Sequence, residues 1–131
     1  MKLTNQTLID FLNKIAALKD KKCPMAVSRA LILTHKSAKE NYEIYEEQLK
    51  KLFDDCALRD DNGEKVLEPN GFPRIKEDCI DTFNTSLNDL LNLEIDIEDH
   101  KFSESLLDSW DDTKYDVLTP DEVEILLMLT D

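Results

Sequence analysis

The chain has 131 residues, 41% of them hydrophobic and 34% charged, with 29 Asp and Glu against 16 Lys and Arg and a formal net charge of −13. That balance describes a folding globular chain with a charge-rich exterior rather than a disordered acidic tail, and a single domain over residues 1–131 is the expectation at this length. A field of this sign repels nucleic acid and anionic membrane, and the longest apolar run, Ile125 to Leu129, falls far short of the roughly 20 residues that cross a bilayer.

The charge is segregated along the chain. Residues 1–52 hold ten Lys and Arg against six Asp and Glu, while residues 53–131 hold six against twenty-three. From Asp89 onward fourteen carboxylates face only Lys101 and Lys114. The opening residues show no apolar secretory core, and Cys23, Cys56 and Cys79 fit neither a disulfide framework nor a CxxC motif. A reducing cytoplasm is the compartment this implies.

Thr4 or Asn5 can cap a first helix, about 5–19, whose Leu8, Phe11, Leu12, Ile15 and Leu18 share one face and which stops in the basic cluster Lys19 to Lys22. Pro24 suits the first turn of a second helix, about 24–57. Its seam of Val27, Leu31, Thr34, Ala38, Tyr42, Tyr45, Leu49, Leu52 and Cys56 advances in steps of three and four, as in a coiled coil. A β-hairpin tip, about 64–75, is predicted around Glu68-Pro69-Asn70-Gly71, with a second turn before it at Asp60 to Gly63. A third helix, about 77–92, repeats the apolar spacing with Ile80, Phe83, Leu87, Leu90 and Leu91, so the second and third helices form an antiparallel hairpin. Leu93, Ile95 and Ile97 alternate with acids and predict a strand, about 93–99, whose partner is the N-terminus, the 115–118 segment or the tip. Thr119-Pro120-Asp121-Glu122 is a capping box that opens a C-terminal helix, about 120–130. No internal repeat divides the chain. The fold class expected is mainly α with minor β, an α+β admixture: a long antiparallel helical hairpin with small β elements and flanking N- and C-terminal helices.

Chemistry is harder to find. Aligning Gly63 with the glycine of an EF-hand puts Leu58 and Pro69 at ligand positions, so no calcium loop is formed. His35 and His100 lack a second histidine at helical spacing, the cysteines lie on or beside the apolar seam, and neither glycine builds a phosphate loop. The expectation is therefore no catalytic residues, no metal, no cofactor and no enzyme. Two uses remain for the acidic half. Its carboxylates can imitate nucleic-acid phosphates toward a protein with a basic surface, or they can serve only as a solvated exterior. In the first case Asp96, Glu98, Asp99, Asp108, Asp111, Asp112 and Asp116 make the contact, with Trp110 as an apolar anchor ringed by acids; the alternative for Trp110 is that it plugs one end of the helical core.

The opening Met1-Lys2-Leu3-Thr4-Asn5 with Leu8, the proline-led second helix with Lys36 to Glu40 and Tyr45-Glu46, the Asp-Asn-Gly-Glu at 61–64 and the closing Leu118-Thr119-Pro120 resemble a family of small uncharacterised bacteriophage and prophage proteins. The likeness covers most of the chain, and Ser103 to Asp116 departs from it. It implies a non-enzymatic phage product in the bacterial host cytoplasm and supplies no functional residue. The expected function is an acidic binding protein that disables a host nucleic-acid-binding or defence protein without touching nucleic acid or membrane itself. The alternative is a structural, assembly or chaperone role for the helical hairpin, in which leftover seam positions would allow a homodimer.

Overall fold

A computed structural model describes residues 1–131, beginning with a strand, β1 (Lys2–Thr4), that runs directly into helix α1 (Asn5–Lys19). The junction is sharp because Thr4 is extended and its hydroxyl accepts the Thr7 N–H, while the Thr7 hydroxyl caps the Thr4 backbone in return. The chain is divided between two compact units, Met1–Tyr42 with Glu94–Asp131, and Glu43–Leu93. Helix α2 (Met25–Cys56) contributes residues to both. It begins where the Pro24 carbonyl accepts the Ser28 N–H, which suits a residue that has no N–H of its own to satisfy.

In the first unit the core is built from the periodic positions. Leu8, Phe11, Ile15 and Leu18 of α1 lie with Val27, Ala30, Leu31 and Ala38 of α2, with Ile97 and Phe102, and with Ile125, Leu126 and Leu129. Each fully buried aliphatic side chain here contributes about 1.5–3 kcal/mol relative to exposure. Strand β2 (Glu94–Asp96) pairs antiparallel with β1 in the register Lys2↔Asp96, Leu3↔Ile95 and Thr4↔Glu94, so the N-terminus is the partner that the alternating segment takes. The register sets Leu3 beside Ile95, and both pack on the core. Beyond β2, α2 holds the chain by two hydroxyls one turn apart: Ser37 Oγ accepts the Glu98 N–H at 2.8 Å and Thr34 Oγ1 accepts the His100 N–H at 3.0 Å. Thr34 is fully buried, so a polar residue on the predicted apolar seam earns its place through this bond.

A short helix, α4 (Ser105–Asp108), follows, and Leu106 and Leu107 on it pack against the core. Helix α5 (Pro120–Leu127) starts with the predicted box: Thr119 Oγ1 accepts the Glu122 N–H at 3.2 Å and the Glu122 carboxylate accepts the Thr119 N–H at 2.9 Å. It ends earlier than its apolar spacing implies because Phe102 captures the last turn, donating its N–H to the Leu129 carbonyl and accepting the Asp131 N–H.

In the second unit, Phe53 on the last turns of α2 meets Phe83 of α3 (Ile80–Asn92) with ring centroids 5.1 Å apart, and a 3₁₀ turn at Glu77–Cys79 leads into α3. Helix packing is thus as expected there, with the chain reversing direction through the tip. The expected hairpin forms around Glu68 to Gly71, with Leu67 bridged to Pro73, and the expected turn at Asp60 to Gly63 is present; the departure is that the two are related, where no internal repeat was expected. Val66 N–H bonds the Leu58 carbonyl, Arg74 N–H the Val66 carbonyl, and Leu58 N–H the Arg74 carbonyl, a closed ring of three segments spaced eight residues apart. The turns between them, Asp60 to Glu64 and Glu68 to Phe72, share Asn-Gly at equivalent positions, and both glycines hold positive φ, 79° at Gly63 and 87° at Gly71. This is a short tandem repeat. Only glycine or asparagine adopts that backbone cheaply, which is why the two glycines of the chain fall here.

Candidate functional site

The segregated charge is partly spent inside the first unit. Residues 1–42 carry eight Lys and Arg against three acids, residues 94–131 two against thirteen, and folding places the two stretches in one body. The Lys21 ammonium donates to Glu122 at 3.0 Å, and Asp116 grips the loop after α1 from both sides, accepting the Lys22 N–H at 2.7 Å on its carboxylate and donating its own N–H to the Lys22 carbonyl. The first unit keeps sixteen acids against ten cations and the second thirteen against six.

What remains exposed determines what can bind. Of the acids expected at a contact surface, Asp96 and Asp99 both accept from the Met1 amino group, at 3.2 and 2.9 Å, and Asp99 also pairs with Lys101 at 3.0 Å. Burial pushes the Asp99 carboxyl upward, but the hydrogen bonds from the amino group and Lys101 prevail and hold it at about 2. Asp111 closes a turn by accepting the Thr113 N–H and hydroxyl, which lower its pKa. Glu98, Asp108 and Asp112 are exposed, as are Asp96, Asp111 and Asp116 despite their hydrogen bonds, and the Glu98 carboxylate lies 3.9 Å from His100 Nε2. Trp110 is half-buried: its ring packs on the core and lies 5.5 Å from Tyr115, and its indole N–H donates to the Asp116 carbonyl at 2.9 Å. It pins the 110–116 loop. No three of these acids converge closely enough to hold a metal ion.

The concave acidic surface lies elsewhere in the unit. A cleft of about 500 Å³ opens between α1, α5 and the ribbon of β1 and β2. Leu3, Phe11, Ile125 and Met128 supply its apolar lining, and Asp10, Glu94, Asp121 and Glu124 supply carboxylates against Lys2 and Lys14. Helical spacing puts them there. Asp121, Glu124, Ile125 and Met128 follow one another at three, one and three residues on α5, and Thr7, Asp10, Phe11 and Lys14 do the same on α1. The Lys14 ammonium is committed to Asp10 at 3.1 Å, and its pKa is raised first by that bond and charge and then by Asp121 and Glu124. Two lysines therefore face four carboxylates, and the cleft is left with an excess of negative charge over an apolar floor. That these two helix edges face each other is a product of tertiary packing.

Two of the three thiols and one of the two imidazoles are shifted by their surroundings. Burial first, then the Asp116 charge, raises the Cys23 pKa, and burial first, then Cys79, raises that of Cys56. His35 is pushed down by burial and by Lys19 and Lys39. None of the helices is long and apolar enough to cross a membrane. No family model, curated protein or solved structure matches the chain significantly.

Proposed function

We propose that the protein is a non-enzymatic binding protein that receives a cationic, partly apolar segment of a partner protein in the cleft between α1 and α5. The observation that carries this reading is the pairing of apolar lining with uncompensated carboxylates in one concave place, which suits lysine- or arginine-bearing peptide better than it suits solvent. Glu98, Asp108 and Asp112 extend the attraction beyond the cleft and speed encounter with a basic surface. With the likeness to phage proteins, the partner is a host nucleic-acid-binding or defence protein, met in the bacterial cytoplasm and blocked where it would otherwise hold phosphates. No nucleic acid or membrane takes part directly. The test is affinity capture from a bacterial lysate at low and high salt with the native chain and with Asp121→Lys combined with Glu124→Lys. A nuclease or nucleic-acid-binding protein recovered at low salt and lost with the double variant supports the assignment; equal recovery by both proteins removes the cleft from the interface.

The assembly reading has one observation in its favour. The tip of the second unit exposes Leu67, Phe72 and Ile80, which are 58%, 55% and 43% accessible. A virion protein captured equally at both salt concentrations, and lost with Phe72→Ser, would assign the protein to that role instead.

A further inference from the structure

The side of α2 turned away from the core of the first unit carries a second surface, opposite in charge to the cleft. Val27, Ala30, Leu31, Thr34 and Ala38 face inward, and Met25, Arg29, Ile32 and Lys36 run along the other side at intervals of four, three and four residues. Met25 is 85% and Ile32 53% exposed, and together with Ala26 and Leu33 they line a shallow apolar depression. Every neighbour of Arg29 at three or four residues, Met25, Ala26, Ile32 and Leu33, is apolar, and Arg29 enters no ion pair. In a chain with 29 acids, the stretch Met25 to Lys39 contains none. A guanidinium set in an apolar ring and left without a carboxylate has the makeup of a binding anchor, since arginine forms two-pronged bonds to carboxylates and is enriched at interface hot spots.

We propose that this strip docks an amphipathic helix of a second protein whose apolar stripe is bordered by Asp or Glu. Charge decides the occupant. A second copy pairing through the same strip would gather Arg29 and Lys36 of both copies into one contact, with no acid from Met25 to Lys39 to separate them. A second copy offering its acidic surface instead would have to form a head-to-tail contact between chains that each carry a net charge of −13. A foreign acidic helix meets neither objection. The strip is independent of the cleft, so the protein has two faces of opposite preference and can bridge a basic and an acidic partner.

The test uses two labelled synthetic helices of fourteen residues, one with leucines on a single face flanked by glutamates and one with lysines in place of the glutamates, followed by fluorescence anisotropy at physiological ionic strength. The Leu/Glu helix is expected to bind the native chain, to bind about tenfold more weakly or worse to Arg29→Ala, and not to bind Ile32→Asp. Arg29→Lys should restore only part of the loss, because an ammonium cannot make the two-pronged contact. Helical circular dichroism of each variant checks that the solvent-facing substitutions leave the fold intact. The proposal is overturned if the Leu/Glu helix does not bind, if Arg29→Ala and Ile32→Asp bind it as the native chain does, or if the Leu/Lys helix displaces it. A dimer seen by light scattering and abolished by Ile32→Asp would give the strip to a second copy and equally overturn it.

Discussion

Replacing Glu122 by alanine separates the two tasks that its carboxylate performs. It accepts the Thr119 N–H at 2.9 Å as part of the box that starts α5, and it receives the Lys21 ammonium at 2.9–3.0 Å from the opposite end of the sequence. Loss of the bond from the Thr119 N–H, the half of the box that Glu122 supplies, costs about 1 kcal/mol. The ion pair, with 29% of Lys21 and 17% of Glu122 side chain still accessible, adds about 0.5–1 kcal/mol. Glu122→Ala should therefore destabilise the first unit by about 1.5–2 kcal/mol, Lys21→Met by about 0.5–1, and Glu122→Gln by little more than Lys21→Met because the amide oxygen can still cap Thr119. Urea unfolding followed by the fluorescence of Trp110 reads this directly, since the only tryptophan is packed in the same unit. The pH dependence has a definite sign. Burial raises the Glu122 carboxyl, but the Thr119 bonds and Lys21 outweigh it and leave the group below its ordinary 4.5. Its contribution is complete above that value and is lost as pH falls through the lower folded one. A double-mutant cycle of Lys21→Met with Glu122→Ala that shows no coupling at low salt would refute the claim that the basic beginning and acidic end of the chain hold each other electrostatically.

Three other substitutions probe separate links. Thr34→Val keeps the shape of a fully buried side chain but orphans the His100 N–H, and should cost about 1–3 kcal/mol in urea unfolding, whereas Thr34→Ser should recover most of it. Asp99→Asn should flatten the acid limb of the stability profile between about pH 4 and pH 2, because the native carboxyl is held from 3.8 to about 2 and its contribution is present above the first value and lost on the way to the second. Gly71→Ala should raise hydrogen exchange at Val66 and Arg74 and cost about 1 kcal/mol: a Cβ there meets nothing within 4 Å, so the whole effect comes from the positive φ, and Gly71→Asn should cost less.

Local rules made most of the helices legible. The spacing of Leu8, Phe11, Ile15 and Leu18, and the boxes at Thr4 and Thr119, are satisfied within a few residues of chain and needed no tertiary knowledge. The strand was legible as a strand, but alternation at Ile95 and Ile97 says nothing about which segment it pairs with, and the N-terminus had to be found among three choices. Helix α4 was not legible, because four residues have no period to detect and Leu106 and Leu107 are ordered by packing on the core. The tip repeat escaped because its two copies share little beyond Asn-Gly, while the feature that unites them is backbone bonding at a spacing of eight. The acids were the least readable group. Asp99, Asp116 and Glu122 stand in the same acidic stretch as Glu98 and Asp112, yet the first three are consumed by contacts with residues almost a hundred positions away.

That division bears on how such a chain can be selective. Along the sequence the asymmetry looks like one strongly negative half, but the two folded units carry similar excesses of acid, sixteen against ten and thirteen against six. A broadly distributed negative field attracts every cationic surface about equally and fades over about 8 Å at physiological ionic strength, so it can speed encounter without choosing a partner. Choice requires contacts that a wrong partner leaves unmade, and these exist where apolar side chains lie next to a charge that has no internal answer. In the first unit the cleft offers that combination in acidic form at Asp121, Glu124 and Ile125, and the strip on α2 offers it in basic form at Arg29 and Ile32. Neutralising exposed acids outside the cleft, such as Asp108 and Asp112, should slow association with a basic partner and leave its dissociation rate unchanged, while changes at Asp121 or Glu124 should speed dissociation.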